Sequence, residues 1–501
     1  MTSQSPLDPG RSLLLEEGRN CWKVKRANRA AFIVDAADYY RLALQAMLKA
    51  EKRIILIGWD VDTRVALADE PPEPGVPVEL GPLFTWLSRH RSDLRIYILA
   101  WDEGLISVPG RGTTPFRMLR WALDPQVAIK WDSTHPVDAS HHQKLLVIDD
   151  RLAFCGGIDI TGSRWDTRRH KDEEPGRRRP FTRRAYEPWH DAIMAVDGDA
   201  AAALGELARI RWDIATGECL EPPGAGEGDI WPEGLEPGFR DVDVAIARTR
   251  GKDGEISEVR EIEALFLDLI HCAQRLVYVE TQYFASRAIA EAIGKRLGDR
   301  HGPEFVIVNP RTAEGWLDEA VMGPARALLY RSLKAQDRFG KLRIYTPVTE
   351  GGLDIYVHAK VMIVDDRMLR VGSANMNNRS MGLDSESDLL IDGTSRADVR
   401  ATIAAIRADL VAEHLGVPSK AVTDCLRRTG SLIETIEALR GHGRTLKPFE
   451  PPEINALEAE LADKETLDPE GSRESFEPRR PRLLSRLRGA GRGRAPAAPH
   501  G

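Results

Sequence analysis

Apolar positions along this chain fall into two kinds of run that take turns. Continuous runs such as Arg53-Ile54-Ile55-Leu56-Ile57-Gly58 and 94–100 lack polar alternation and predict strands buried on both faces. Between them, apolar residues recur at helical spacing over 35–52 and 80–91, with a shorter helix expected over 116–123. Asp35 stands where the first helix would take its N-cap. A strand at 127–131 and an apolar run after residue 144 complete this part. The second half repeats the order, with helix 256–274, strands 275–279 and 305–308, helix 317–334, strand 342–346 and an apolar run after 360. Each half closes on a helix, 200–214 and 396–414. Strands that alternate with helices in this way imply a sheet covered by helices on both faces.

The repetition is sharpest at two segments. His142-Gln143-Lys144-Leu145-Leu146-Val147-Ile148-Asp149 returns as His358-Ala359-Lys360-Val361-Met362-Ile363-Val364-Asp365. At the same offset Asp150 meets Asp366, Arg151 meets Arg367, Gly156 meets Gly372, Gly157 meets Ser373 and Asp159 meets Asn375. A single His-x-Lys-x4-Asp string says little, but two in register define a duplicated unit. Farther on, Asp191 to Gly198 resembles Glu386 to Gly393 at a shorter offset, so the first half carries an insertion over about 160–190. That insertion is rich in arginine, including Arg164, Arg168, Arg169, Arg177, Arg178 and Arg179.

Composition narrows the function classes. Lys and Arg number 70 against 77 Asp and Glu, for a net charge of −7 over 501 residues. Mild acidity argues against a non-specific nucleic-acid binder. Five scattered cysteines without a CxxC indicate neither a zinc site nor a disulfide framework. The first thirty residues hold no apolar signal-like run, and no stretch approaches the roughly 20 apolar residues that span a bilayer. The expectation is a cytoplasmic protein that works peripherally on a membrane surface, as a monomer, with no specific nucleic acid and no inferable protein partner.

In extended backbone, residues i and i+2 point the same way, so His142 shares a face with Lys144, and His358 with Lys360. Brought together, the pairs place two imidazoles and two ammonium groups in one pocket. The lysines suit the non-bridging oxygens of a phosphate, and one imidazole can attack phosphorus while the other protonates the leaving oxygen. No metal is required, because the positive charge is already supplied. Each imidazole needs an acceptor on its other nitrogen. The repeat offers Asp191 and Glu386 at equivalent positions. Asp149 and Asp365 close the signature and are counted with the catalytic set, although a turn or structural hydrogen bond suits an Asp ending an apolar strand at least as well.

HxKxxxxD occurring twice, followed by GG in one half and GSxN in the other, resembles the phospholipase D superfamily over roughly residues 30–415. The segment Tyr278-Val279-Glu280-Thr281-Gln282-Tyr283-Phe284 is similar to the family's YIENQYF-like stretch. GSRWDT at 162–167 and Pro188-Trp189-His190-Asp191 resemble segments of its phosphatidylcholine-type members. The resemblance implies an α/β fold of two homologous lobes, each a mixed β-sheet flanked by helices, with the active site at their interface. It implies hydrolysis of phosphatidylcholine or phosphatidylethanolamine to phosphatidic acid through a phosphohistidine, with transfer to alcohols as a variant and no cofactor. His142 would be the nucleophile and His358 the general acid, while Lys144, Lys360, Asp159 and Asn375 line the phosphate site. Cardiolipin-type phosphatidyl transfer and a nucleic-acid phosphodiesterase are the alternatives. Most relatives carry Asn where this chain has Asp159, and a carboxylate there needs a lysine or arginine to face.

The expected organisation is a flexible lead-in at 1–28, a first lobe at 29–216, a linker at 217–240 and a second lobe at 241–416. A helical cap at 417–449 and an acidic, then Arg-rich, disordered tail at 450–501 follow.

Overall fold

A computed structural model of the chain describes residues 13–101, 121, 124–136, 139–312 and 316–452. The helix expected over 116–123 and all but the first residues of the expected tail lie outside the described residues. The first half contributes strands β1 (Lys23–Val34), β2 (Arg53–Gly58), β3 (Arg95–Trp101), β4 (Val127–Asp132), β5 (Leu145–Ile148), β6 (Leu152–Gly156), β7 (Trp189–His190) and β8 (Ala192–Asp197). The second half contributes β9 (Phe239–Arg250), β10 (Val259–Arg260), β11 (Leu276–Glu280), β12 (Glu304–Val308), β13 (Leu342–Val348), β14 (Tyr356–Val357), β15 (Val361–Val364), β16 (Met368–Gly372), β17 (Glu386–Asp392) and β18 (Thr445–Pro448).

Apart from β7 and β14, which pair with each other, these strands join into one mixed sheet, of 16 strands among the described residues, that runs through both halves. From its centre the first half reads β1-β8-β6-β5-β2-β3-β4 and the second β9-β17-β16-β15-β11-β12-β13-β18. The two orders are the same apart from β18. In each, three successive strands run parallel, β2-β3-β4 and β11-β12-β13. The others pair antiparallel, including the central β1–β9 seam, where Lys23 to Ala30 meets Ile246 to Phe239. The unbroken apolar runs follow from this placement. Ile54 to Ile57 and Val361 to Val364 are all buried because helices cover both faces, and each such aliphatic contributes about 1.5–3 kcal/mol.

One face carries the helices Gly198–Thr216 and Ala397–Leu415 over a core shared by both halves. The other face is covered separately, by Ala36–Leu48 and Leu80–His90 in the first half and by Glu261–Cys272 and Arg287–Leu297 in the second.

Three expectations are corrected. The lead-in expected over 1–28 is ordered from within: Asn20 and Cys21 are buried, and Lys23 starts the strand that seams the halves. Its outer half, KVKRAN, reads as polar because half of it faces solvent while its backbone still finds β9. The cap at 417–449 holds two helices, Ser419–Thr429 and Leu432–Leu439, but ends in the edge strand β18 on β13. Asp35 precedes the first helix without capping it; its side chain turns inward instead.

Candidate active site

Each His-x-Lys segment runs into its strand from the lobe boundary, and the opposite lobe pins it there by backbone hydrogen bonds. The N–H of His142 donates to the carbonyl of Ser385 at 2.9 Å, and the N–H of Ser385 to that of Ser140 at 3.0 Å. At the pseudo-equivalent place β14 pairs with β7, and the N–H of His358 donates to the carbonyl of His190 at 2.8 Å. The residue after each pinning carbonyl is Glu386 in one case and Asp191 in the other. Each carboxylate is thereby delivered to the histidine of the other lobe.

The resulting contacts are crossed. Nδ1 of His142 lies 3.1 and 3.0 Å from the two oxygens of Glu386. Nδ1 of His358 lies 2.6 Å from Oδ2 of Asp191. The imidazole rings stand 6.4 Å apart, centre to centre, at 60°. With Nδ1 of each engaged, Nε2 is the nitrogen left for a substrate between them. Glu386 is itself fixed by the hydroxyls of Ser373 and Ser380, the latter at 2.7 Å. His142, Ser373 and Lys144 hold its carboxyl below the usual range although burial pushes the other way.

Both lysines are buried, and each Nζ donates to the carbonyl of its own histidine. Beyond that their settings differ. Lys144 faces Oδ2 of Asp159 at 3.0 Å, whose other oxygen accepts the N–H of Trp59 at 2.9 Å. Lys360 faces a neutral amide, Oε1 of Gln282 at 3.3 Å, which also meets the Asn375 side chain at 3.5 Å. Burial, with Lys144 and Arg164 pushing the same way, lowers Lys360 to about 7 against the pull of Asp191 and Glu386. Burial also presses His358 well below the ordinary imidazole value, with Lys360, Arg164, Lys144 and His142 reinforcing it, while Asp191 is pushed up to about 6. At neutral pH the pair is therefore a neutral imidazole donating from Nδ1 to a carboxylate. An anion placed among these cations reverses the pressure on His358.

The signature aspartates stand elsewhere. Strand β5 puts its histidine end against Ile57 and its aspartate end against Arg53, so Asp149 lies beyond the far end of the strand from His142. Its carboxylate accepts the N–H groups of Glu51, Lys52 and Arg53 at 2.7, 2.8 and 2.6 Å. Asp365 accepts those of Gln274, Arg275 and Leu276 at 2.8, 2.7 and 3.0 Å. Asp149, Asp150, Asp365 and Asp366 all have φ between 52° and 56°, as the two central residues of tight turns closed by the N–H of Arg151 on Ile148 and of Arg367 on Val364. Asp149 and Asp365 are therefore brace and turn residues, and the catalytic place given them above is corrected. Asp159 is corrected likewise. Its oxygens are taken up by Lys144 and Trp59, so it anchors a lysine where a phosphate contact was expected.

Several side chains at the site were not singled out from the sequence. Gln282, Ser373 and Ser380 belong to the polar framework just described. Trp189, at the end of the insertion, packs 5.1 Å from the His358 ring, stacks on Tyr356 at 4.6 Å and carries the Arg164 guanidinium at 4.2 Å. The Tyr356 hydroxyl accepts from Gln282 at 3.0 Å. The signal was there in the GSRW and PWHD strings, but nothing in the sequence tells that their aromatic and guanidinium groups stack.

Comparison with known proteins gives this geometry its relatives. A family model described as cardiolipin synthase, PLD-like domain, matches residues 266–406. Phospholipase D A of Dictyostelium discoideum is 26% identical over 429 residues, covering 71% of this chain and 32% of that protein. Phospholipase D alpha 1 of Brassica oleracea var. capitata is 24% identical over 534 residues, covering 78% of this chain and 65% of its own. These similarities are to proteins named phospholipase D and to a PLD-like domain. The chain spans between about a third and two thirds of the length of these curated relatives. Among solved structures, phosphatidylserine synthase from Haemophilus influenzae Rd KW20 shares the fold, with a TM-score of 0.53 at 13% identity over 88% of this chain and 94% of that one. The fold shared with that structure is one mixed sheet flanked by helices. Among the described residues, no helix is long and apolar enough to cross a membrane.

Proposed function

We propose that this chain is a phosphodiesterase of the phospholipase D type, acting on glycerophospholipids such as phosphatidylcholine or phosphatidylethanolamine at a membrane surface. The observation that carries the reading is the crossed pair: two imidazoles 6.4 Å apart, each held through Nδ1 by a carboxylate from the other lobe.

The chemistry runs in two balanced steps. As the anionic phosphodiester binds, Nε2 of His358 takes up a proton; Nε2 of His142 then attacks phosphorus and forms an N–P bond, the P–O bond to the headgroup alcohol breaks, and the alcohol oxygen takes that proton from His358. Water then enters, gives a proton to His358 and attacks phosphorus, and the N–P bond breaks to release phosphatidic acid. Lys144 and Lys360 offset the charge that grows on the non-bridging oxygens. Glu386 is ionised and stabilises the His142 cation left when that ring accepts the phosphoryl group. His142 takes the nucleophile's part because its side chain is 16% exposed against 6% for His358.

A second reading is phosphatidyl transfer, with an alcohol in place of water. It is favoured by the description of the family model that matches 266–406. Mixed phosphatidylcholine–phosphatidylethanolamine vesicles and supercoiled plasmid, offered in parallel, test both. The expected result is choline or ethanolamine release that His142→Ala abolishes, and glycerol added in excess diverts product from phosphatidic acid to a phosphatidyl alcohol if transfer dominates. Nicked plasmid beside intact lipid would overturn the lipid assignment.

A further inference from the structure

Directly behind Asp191 lies a second cluster that the phosphoryl chemistry does not use. His170, from the insertion, and His190, from β7, converge with Asp35 and Glu413, and all four side chains are buried. Nε2 of His170 lies 3.0 Å from Oε1 of Glu413 and 3.3 Å from Oδ2 of Asp35. Nδ1 of His190 lies 3.3 Å from the same Glu413 oxygen and 3.4 Å from Oδ1 of Asp35. Three of these four separations are long for hydrogen bonds between ionised partners. Nδ1 of His190 and Oδ2 of Asp35 are both buried and have only long or poorly aligned polar contacts, at 3.3–3.4 Å. One ligand atom from each of the four residues lies within 4.8 Å of the other three, and the 3.0–3.3 Å contacts of Glu413 Oε1 and of Asp35 Oδ2 with the imidazoles are near the roughly 3.3 Å edge of a tetrahedron whose ligands stand at about 2.0–2.1 Å.

The surroundings set the donors for that use. The other ring nitrogen of His170 is taken by Asp166 at 3.0 Å, and that of His190 by Glu280 at 3.0 Å. A carboxylate behind each imidazole fixes the tautomer that leaves the inner nitrogen bare, as metal-ligating histidines commonly require. Arg168 claims Oε2 of Glu413 at 2.6 Å, so Oε1 faces the centre, with the Arg444 guanidinium 3.6 Å from it. Asp35 sits at φ 65°, ψ 153°, a conformation that L residues rarely adopt. Its backbone is held there by Asp191, whose carbonyl accepts its N–H at 2.8 Å and whose own N–H reaches Oδ1 at 3.1 Å.

We propose that Asp35, His170, His190 and Glu413 bind a divalent transition-metal ion, zinc by preference, as a closed structural site. Two imidazoles and two carboxylates around a tetrahedral centre suit zinc. The site has no solvent-facing position and so no part in activating water. It ties the insertion and the start of the first helix to the last helix of the second lobe, and through Asp35 it fixes the backbone that presents Asp191 to His358. Two extra protons, one on each imidazole, would balance the same two carboxylates and are the competing occupant.

Metal analysis of the full chain, produced with zinc in the medium, decides between them. About one equivalent of zinc per chain is expected, retained in His142→Ala and lost in Glu413→Gln and His170→Gln. Cobalt substituted into the same chain should give the intense visible bands of a tetrahedral site, which needs no variant to fold. Less than about a tenth of an equivalent in the unsubstituted chain, with no rise in Tm on adding zinc, would overturn the proposal in favour of protons. Zinc that survives both substitutions would place the metal elsewhere and overturn it equally.

Discussion

Nδ1 of His358, in the second lobe, lies 2.6 Å from the carboxylate of Asp191, in the first. Glu386 makes the reciprocal contact with His142 at 3.0 Å. Neither lobe supports its own His-x-Lys histidine. Asp191→Asn and Glu386→Gln keep the shape and an accepting oxygen but lose the negative charge that stabilises the cation. Each should lower kcat by at least about 100-fold with KM changed by less than about threefold. Steady-state kinetics on vesicles checks this; equal losses in kcat/KM arising from KM alone would contradict the orienting role.

The aspartates of the signature should answer a different measurement. Asp149→Asn retains a residue that tolerates positive φ but replaces a carboxylate that accepts three backbone N–H groups. A loss of about 2 kcal/mol in unfolding free energy is expected, with kcat within about twofold of the unsubstituted chain. Urea unfolding beside an activity assay on the folded fraction separates the two effects. A hundredfold loss of kcat at unchanged stability would return Asp149 to the chemistry.

Gly157 and Ser373 hold the same place in the repeat but cannot be exchanged. The Ser373 hydroxyl donates to Glu386, whereas a Cβ on Gly157 would lie 2.1 Å from Oδ1 of Asp191. The shorter carboxylate occupies the space that the serine fills in the twin. Gly157→Ser should therefore displace Asp191 and reduce kcat by at least about tenfold while the circular-dichroism spectrum stays unchanged. Ser373→Gly opens space instead, and its loss should be smaller.

Lys360 gives the free protein a pH limb. Buried beside Lys144 and Arg164, with Asp191 and Glu386 pulling the other way, it titrates at about 7. Its charge is present below that value and lost above it. Productive encounter with an anionic phosphodiester should therefore decline with rising pH, kcat/KM falling about tenfold per unit once the limb is passed. A bound phosphodiester favours the ammonium, so the corresponding limb in kcat should lie higher. A flat kcat/KM between pH 6 and pH 9, values chosen to bracket that titration, would contradict it.

Much of this was legible in the chain. The duplicated His-x-Lys strings, the equivalent acids Asp191 and Glu386 and the strand order follow from repetition and apolar runs, which are local properties. The crossing of the acids was not, because an offset shows that two residues are equivalent without showing which histidine each one meets. That is decided by Ser385 and His190, whose carbonyls pin the opposite lobe's backbone. β1 escaped for another reason. A strand at the centre of a sheet can carry a polar half when its register, not its side chains, is what the neighbouring strand uses. Asp35 looked like a helix cap because residue type and position fit one; only the fold brings His170 and His190 to it.

The seam between β1 and β9 makes one polypeptide behave as a pair of subunits related by a two-fold axis. In a pair of identical subunits every residue at the axis would face its own copy under the same conditions, and neither histidine could be distinguished from the other before substrate arrived. Covalent joining removes that obligation. Lys144 can rest on a carboxylate while Lys360 rests on an amide. One imidazole can also stand more open than its mate. Division of labour between attacker and proton donor is thus inherited from the sequence of a single chain.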